Sequence, residues 1–205
     1  MINLISDATK THSQRGTFGT LNIPNEPKLV HNFVLVGGTA LSLQIGHRIS
    51  VDIDLFGKCD LEDFPFAEIL SDFGKTTILK KSKRILIFTV NGIKVDLVDY
   101  QYDLLEPPLI IDGIRLASEM DIAAMKLNAI AGRGSKKDFI DFYYLLKKFS
   151  VDEMLAFYLK KYQDGSEFLV RKSLCYFDDA DKDEMPYMTE QLDWDEIKNS
   201  IKKEL

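Results

Sequence analysis

The sequence predicts an α+β fold, with a mixed sheet formed first and a helical half after it. Three observations carry this. A short apolar run, Phe33 to Val36, is broken by Gly37-Gly38 and followed by apolar residues at helical spacing from Thr39. Two runs rich in apolar and β-branched residues, Arg84 to Val90 and Ile93 to Tyr100, flank Asn91-Gly92, the strongest short hairpin signal a sequence offers. From Ala117 onward the apolar positions recur at helical spacing instead of alternating. The expected division is an α/β core over 1–112, its first 32 residues poorly defined, and a helical region over 113–205 that completes a cleft.

Each element has its own signal. Pro24 and Pro27 interrupt regular structure before the strand at Phe33. After the glycine pair and its helix, alternation sets in: Val51, Ile53 and Leu55 point one way, Asp52 and Asp54 the other. A turn then leads to a short helix near Phe66 to Phe73, and Thr76 to Lys81 reads as a strand. With a two-residue turn at Asn91-Gly92, Val90 faces Ile93 and Asp96 falls opposite Ile87. Ser118 with Asp121 resembles a helix cap, Ile122, Met125, Ala129 and Ile130 form an apolar stripe, and Lys126 sits at its edge. Gly132 and Gly134 end that helix. The next starts near Ser135, with Phe139, Phe142, Tyr143 and Leu146 inward and Asp138 and Asp141 on one side. Further helices are expected to about Tyr162, over Ser166 to Phe177, and in the tail from Trp194, where Ile197 and Ile201 keep helical spacing.

Composition narrows the function classes. The 205 residues are 45% hydrophobic and 28% charged, ordinary for a soluble globular protein. A net charge of -6 argues against general, charge-driven affinity for nucleic acid but leaves room for RNA or a nucleotide held by a local basic patch. Cys59 and Cys175 are far apart, and with His12, His31 and His47 equally scattered they form no zinc-ligand spacing. No apolar run approaches a membrane span and no signal peptide is evident, so a cytoplasmic location is expected.

The chemistry concentrates in two places. Asp52 and Asp54 share one strand face just beyond a glycine turn, where two carboxylates would hold divalent cations against a phosphate chain. Asp96 shares a face with Lys94 and Val98. Alternation alone makes that the wet side of a hairpin, since one solvated face is usual in antiparallel pairs. At the second place, Arg133, Lys136 and Lys137 gather positive charge where the helix of Asp138 and Asp141 begins. Cations there are mildly unfavourable unless an anion joins them, so this end is a candidate phosphate site.

The order of these pieces, in GGTALSLQIGHRISVDIDLF, then the hairpin strand with Val95-Asp96-Leu97, then KLNAIAGRGSKKDFIDFYYLL, resembles the nucleotidyltransferase superfamily of DNA polymerase β type. Within it the chain resembles the AbiEii family, toxins of type IV toxin–antitoxin and phage abortive-infection systems, over roughly residues 30 to 150. That resemblance implies a polymerase-β-like core that transfers NMP from an NTP to a hydroxyl, on RNA such as tRNA or on protein, with a cognate antitoxin as partner. It implies Asp52, Asp54 and Asp96 as ligands of Mg²⁺ or Mn²⁺, and so reverses the solvent-face expectation for Asp96, which is also a candidate base. Gly37, Gly38 and Thr39 would cradle the triphosphate, with Lys126 neutralising its charge. Asp138 would be an essential catalytic residue facing the nucleotide, with Lys137 and Arg133 nearby to bind it, while Asp141 would be structural, orienting Lys126 or Arg133. Arg48 would contact phosphate, or else pair with Asp52 or Asp54 to hold the strand end; His47 and Ser50 are supporting residues. The alternatives are a small-molecule nucleotidyltransferase of the antibiotic-modifying kind and a nucleotide-binding regulatory protein without catalysis.

Overall fold

The computed structural model describes residues 33–62 and 75–205. The N-terminal stretch over 1–32 and the short helix expected at Phe66 to Phe73 lie outside the described residues. The chain forms two compact units that interleave along the sequence. One takes in Met1–Thr39, Val51–Gln101 and Pro108–Leu116; the other takes in Ala40–Ser50, Tyr102–Pro107 and Ala117–Leu205.

Among the described residues, the first unit forms a seven-stranded mixed sheet in the order β3-β4-β5-β2-β1-β7-β6. Its strands are β1 (Val34–Val36), β2 (Ile53–Gly57), β3 (Thr76–Lys81), β4 (Ile85–Val90), β5 (Ile93–Asp99), β6 (Leu109–Ile111) and β7 (Ile114–Leu116). Alternation builds its core: Ile53, Leu55, Leu86, Phe88, Val90, Val95 and Leu97 are all buried. Val51 was expected on that inward face but is 51% exposed, because β2 starts two residues later and Val51 precedes the ladder. The hairpin β4–β5 has the predicted register, with Val90 opposite Ile93 and Ile87 opposite Asp96. Asn91 and Gly92 both take positive φ, at 50° and 87°, the backbone that a two-residue turn needs to follow strand twist.

A second hairpin, β6–β7, turns at Asp112-Gly113 with positive φ at both residues. Its parallel pairing with β1, Leu35 beside Leu116, joins it to the sheet. The boundary expected at residue 112 therefore falls at the tip of a hairpin, and the sheet unit continues to Leu116.

Helix α1 (Gly37–Ile45) begins at the first glycine, two residues before the expected start at Thr39. In the second unit, α2 (Glu119–Gly132) contacts α3 (Lys136–Leu146), α4 (Val151–Lys161) and α5 (Glu167–Leu174), and α3 also meets α6 (Trp194–Glu204). The Ser118 hydroxyl accepts from the Asp121 amide at the start of α2, as its sequence predicts, and Ser150 with Glu153 forms a full capping box on α4. Ile197 and Ile201 are completely buried, so α6 docks as its spacing predicts. Trp194 joins Phe139 and Phe177 in an aromatic cluster with centroids 4.8 to 6.2 Å apart.

The inward face of α3 differs from expectation. Phe139 and Phe142 are buried, but Leu145 takes the place expected of Leu146, and Tyr143 is half-buried. The buried face has rotated toward Asp138 and Asp141, which are themselves fully enclosed. Polar partners, not apolar spacing alone, fix this helix.

Candidate functional site

In the sheet unit, parallel pairing of β2 with β5 sets Asp54 directly beside Asp96, and the antiparallel pairing of β1 sets Val36 on the other side of Asp54. Neighbouring strands lie about 4.8 Å apart, so two register partners present their carboxylates to one face at close range. Unscreened, like charges about 5 Å apart repel by about 3 kcal/mol at an effective dielectric of about 20. Lys94, two residues before Asp96 on the same face, answers part of that charge: its ammonium donates to Asp96 Oδ2 at 2.7 Å. The other oxygen, Asp96 Oδ1, is buried and has no hydrogen-bond donor.

Gly37 closes against this acid row. Its φ is +69°, and a Cβ built there would meet Asp54 Oδ2 at 2.5 Å. Glycine is thus required twice, by the left-handed backbone and by the close approach of a carboxylate. Gly38 is buried in the first turn of α1. The Thr39 hydroxyl donates to the backbone carbonyl of Asp52, bracing the segment that leads into β2.

A buried, unpartnered carboxylate oxygen beside a second carboxylate suits a hard divalent cation. Among the described residues no three His, Cys, Asp or Glu side chains gather into a cage of their own. Mg²⁺ needs none, since it keeps waters and takes one or two carboxylates together with substrate phosphates. The residues present fit such an ion.

The second unit treats its acids differently. Asp141 is fully buried and accepts from Arg48 Nε at 2.7 Å and Nη2 at 2.9 Å, from His47 at 2.7 Å, and pairs with Lys126 Nζ at 2.6 Å. Asp138, equally buried, accepts from Lys126 Nζ at 3.0 Å, Arg133 Nε at 2.8 Å and Nη2 at 3.1 Å, and the Ser135 hydroxyl at 2.6 Å. Burial alone would raise the Asp138 carboxyl, but Lys126, then Arg133 and Ser135, hold it well below the usual carboxylate range. For Asp141 burial is likewise outweighed, by Lys126, Arg48 and His47. Burial would lower the Lys126 ammonium; Asp141 and Asp138 more than offset it, and it titrates above the ordinary lysine range. Lys126, expected at a stripe edge, is a buried bridge between the two aspartates.

Arg48 therefore pairs with Asp141, not with Asp52 or Asp54, and its fork is occupied by that bidentate bond. The start of α3 has an anion of its own: Asp183 Oδ2 accepts from the Lys136 amide at 2.9 Å, and the Lys136 ammonium donates to the Asp183 carbonyl. Arg133 and Lys137 remain exposed there, Arg133 with 64% of its side chain in solvent while bonded to Asp138. The strand-like segment 47–49 is fixed by Tyr187 and Thr189, with Ile49 N–H donating to Tyr187 at 2.8 Å and Thr189 Oγ1 to the His47 carbonyl at 2.8 Å.

Three of these residues make contacts that the sequence did not assign to them. Lys94 had a signal, because i and i+2 on a strand share a face, but a lysine beside an aspartate also marks a wet surface. Asp183 lies 47 residues beyond Lys136 and carries no local signal. Asp121 does more than cap α2: it pairs with Lys161 at 2.7 Å and accepts from the Leu105 amide at 2.9 Å, tying α4 and the 102–107 segment to α2.

Comparison with known proteins supplies a family. Two solved structures share the fold: JHP933 from Helicobacter pylori, 21% identical with a TM-score of 0.53 over 83% of this chain and 80% of that one; and MenT4, the nucleotidyltransferase toxin Rv2826c from Mycobacterium tuberculosis H37Rv, 14% identical with a TM-score of 0.56 over 99% of this chain and 79% of that one. In sequence the chain is 37% identical over 183 residues to the uncharacterized protein aq_aa25 of Aquifex aeolicus, covering 86% of this chain and 88% of that one. The profile of the nucleotidyl transferase AbiEii toxin, type IV toxin–antitoxin system, matches residues 25–205. This chain is a nucleotidyltransferase and belongs to the AbiEii toxin family.

Proposed function

We propose that the chain transfers NMP from an NTP to a hydroxyl acceptor in a Mg²⁺-dependent reaction that releases pyrophosphate. The observation that carries this is the acid row itself: Asp54 and Asp96 in register on β2 and β5, with Asp96 Oδ1 buried and without a donor. Asp54 and Asp96 would hold the metal together with substrate phosphates, joined by Asp52 once the ion is bound, and the metal would then neutralise the triphosphate and favour ionisation of the attacking hydroxyl. Gly37 lets backbone approach closely, and the amides of Gly38 and Thr39 in the first turn of α1 would receive phosphate oxygens. Asp96, the candidate base, would take the acceptor's proton on the carboxylate oxygen that the metal leaves uncoordinated. The chain's residues orient and charge-balance; the phosphoryl chemistry needs little more.

In the helical unit, Asp138 and Asp141 act as positioning residues. Their oxygens are filled by Lys126, Arg133, Arg48, His47 and Ser135, so their part is to fix cations in place. Arg133 and Lys137, exposed at the start of α3, are the cations suited to an anionic ligand, either nucleotide phosphate or the backbone of an RNA acceptor. A tRNA end is the favoured acceptor and a protein hydroxyl the second. Membership of a toxin–antitoxin family supports a cognate antitoxin as partner, and a place in phage defence is part of the proposal. We place the chain in the cytoplasm, where such an acceptor would be met; among the described residues no helix is long and apolar enough to cross a membrane.

The direct test incubates the protein and Mg²⁺ with each α-³²P-labelled NTP, together with total RNA or whole-cell protein, beside Asp54→Asn. Label on RNA that disappears in the variant supports the reading. Label on protein keeps the chemistry and replaces the acceptor. Label that persists in Asp54→Asn sinks the metal assignment.

A further inference from the structure

We infer that Lys94 is a placeholder cation: in the metal-free protein its ammonium occupies the acid row, and it must be released from Asp96 when a divalent cation binds. This rests on the metal reading above. Asp54 and Asp96 are register partners on adjacent strands, which places two negative charges side by side on one face. Lys94 lies on that face, two residues from Asp96, and donates to Asp96 Oδ2 at 2.7 Å. Its side chain is 41% exposed, against 18% for Asp96, so it lies over the carboxylate from the solvent side and has room to swing away. The remaining oxygen, Oδ1, is enclosed and lacks a donor. A cation that engages Asp96 therefore meets one oxygen ready for it and one already held by an ammonium. Two cations on one carboxylate repel each other, and the ammonium is the one on a flexible stem. Without Lys94 the paired aspartates would keep a larger share of their mutual repulsion; with it, part of that charge is answered until metal and nucleotide arrive, and the released ammonium is left beside the incoming phosphates.

The consequence is competition between Lys94 and metal, which is measurable without turnover. Lysine acylation followed by mass spectrometry reads the Lys94 amine directly in the full-length protein, with and without Mn²⁺. Labelling of Lys94 should rise on adding Mn²⁺ while that of distant lysines stays level. Mn²⁺ titration followed by electron paramagnetic resonance then compares wild type with Lys94→Met, Lys94→Arg and Asp54→Asn. Lys94→Met should bind Mn²⁺ about two- to fivefold more tightly, the range expected from a partly exposed ion pair, and Lys94→Arg should stay near wild type. Binding lost in Asp54→Asn, with Lys94→Met unchanged or weaker and labelling indifferent to Mn²⁺, overturns the placeholder and leaves the metal site standing. Failure of Mn²⁺ to bind wild type and Lys94→Met alike removes both. Should Lys94→Met not fold, the labelling of wild type alone decides.

Discussion

Asp96 and Asp141 each pair with a lysine, yet only one of them is saturated. Asp141 accepts from His47 and from both ends of the Arg48 fork and pairs with Lys126, inside the helical unit and out of contact with solvent. Asp96 gives one oxygen to Lys94 and keeps the other buried without a donor. The difference separates a carboxylate that organises the chain from one that has capacity for something outside it. It also divides acids that the sequence pattern presents together, since Asp96 and Asp138 both looked catalytic and only Asp96 retains an unfilled oxygen.

The contrast is most severely tested at Asp141. Replacing it with Ala leaves Lys126, Arg48 and His47 facing a buried site without their shared anion, and breaking a buried pair in this way costs about 3–5 kcal/mol. For a chain of this size each kcal/mol moves Tm by about 2–4 °C, so thermal unfolding should fall by about 6–20 °C. A loss of a degree or two would place Asp141 among ordinary surface acids. Asp54→Asn should do the reverse: transfer falls by about 10²–10³-fold as the proposed metal ligand goes, while Tm holds or rises slightly because repulsion with Asp96 is relieved. Circular dichroism melts beside label transfer read both halves of the comparison.

A smaller effect is expected at Gly37→Ala. The added Cβ would meet Asp54 Oδ2 at 2.5 Å, in a backbone conformation that costs a non-glycine residue about 1–2 kcal/mol. Asp54 must move to admit it. Transfer should therefore drop by more than the change in stability explains, and Gly46→Ala, at a similar φ of +66° but with open space around it, supplies the control for backbone strain alone. Equal losses at the two glycines would mean that closeness to Asp54 has no bearing on the chemistry.

How much of this could be read from the chain depended on range. The β4–β5 register was legible to the residue, because Asn91-Gly92 fixes it locally and the alternation does the rest. The pairing of β2 with β5 was not, since parallel neighbours need no turn to announce them; the family pattern, not the strand signals, brought Asp96 to Asp54. Asp112-Gly113 carried the same turn signal as Asn91-Gly92, but between runs of three residues it was too brief to read as a hairpin. The cations were located, and some of their partners with them: Asp141, expected to orient Lys126 or Arg133, pairs with Lys126, and Arg133 lies on Asp138, but Asp141 as the partner of Arg48 was not foreseen. Lys126, Arg48 and Arg133 fell at the positions the family pattern names, whereas their convergence on Asp141 and Asp138 joins residues up to 93 apart and depends on side-chain packing that periodicity does not encode.

The smallest expected effect, and the finest test of the saturated acids, is their pH dependence. Asp138 has an ordinary value of 3.8 and is held well below it when folded, chiefly because Lys126 and Arg133 outweigh the cost of burial. Its folded value is depressed, so its contribution to stability is complete above about pH 4 and is lost as pH falls toward the folded value. Between the two, the unfolded state binds a proton that the folded state does not, and stability drops with falling pH by about 1.4 kcal/mol per pH unit for each such carboxyl. Asp138→Asn removes one titrating group while keeping the side chain's shape. Urea unfolding of both proteins between pH 4.5 and about 2.5 should therefore give a wild-type slope steeper than the variant's by about that amount. Parallel slopes would mean that Asp138 titrates alike in folded and unfolded chains, and that Lys126 and Arg133 are held by something other than its charge.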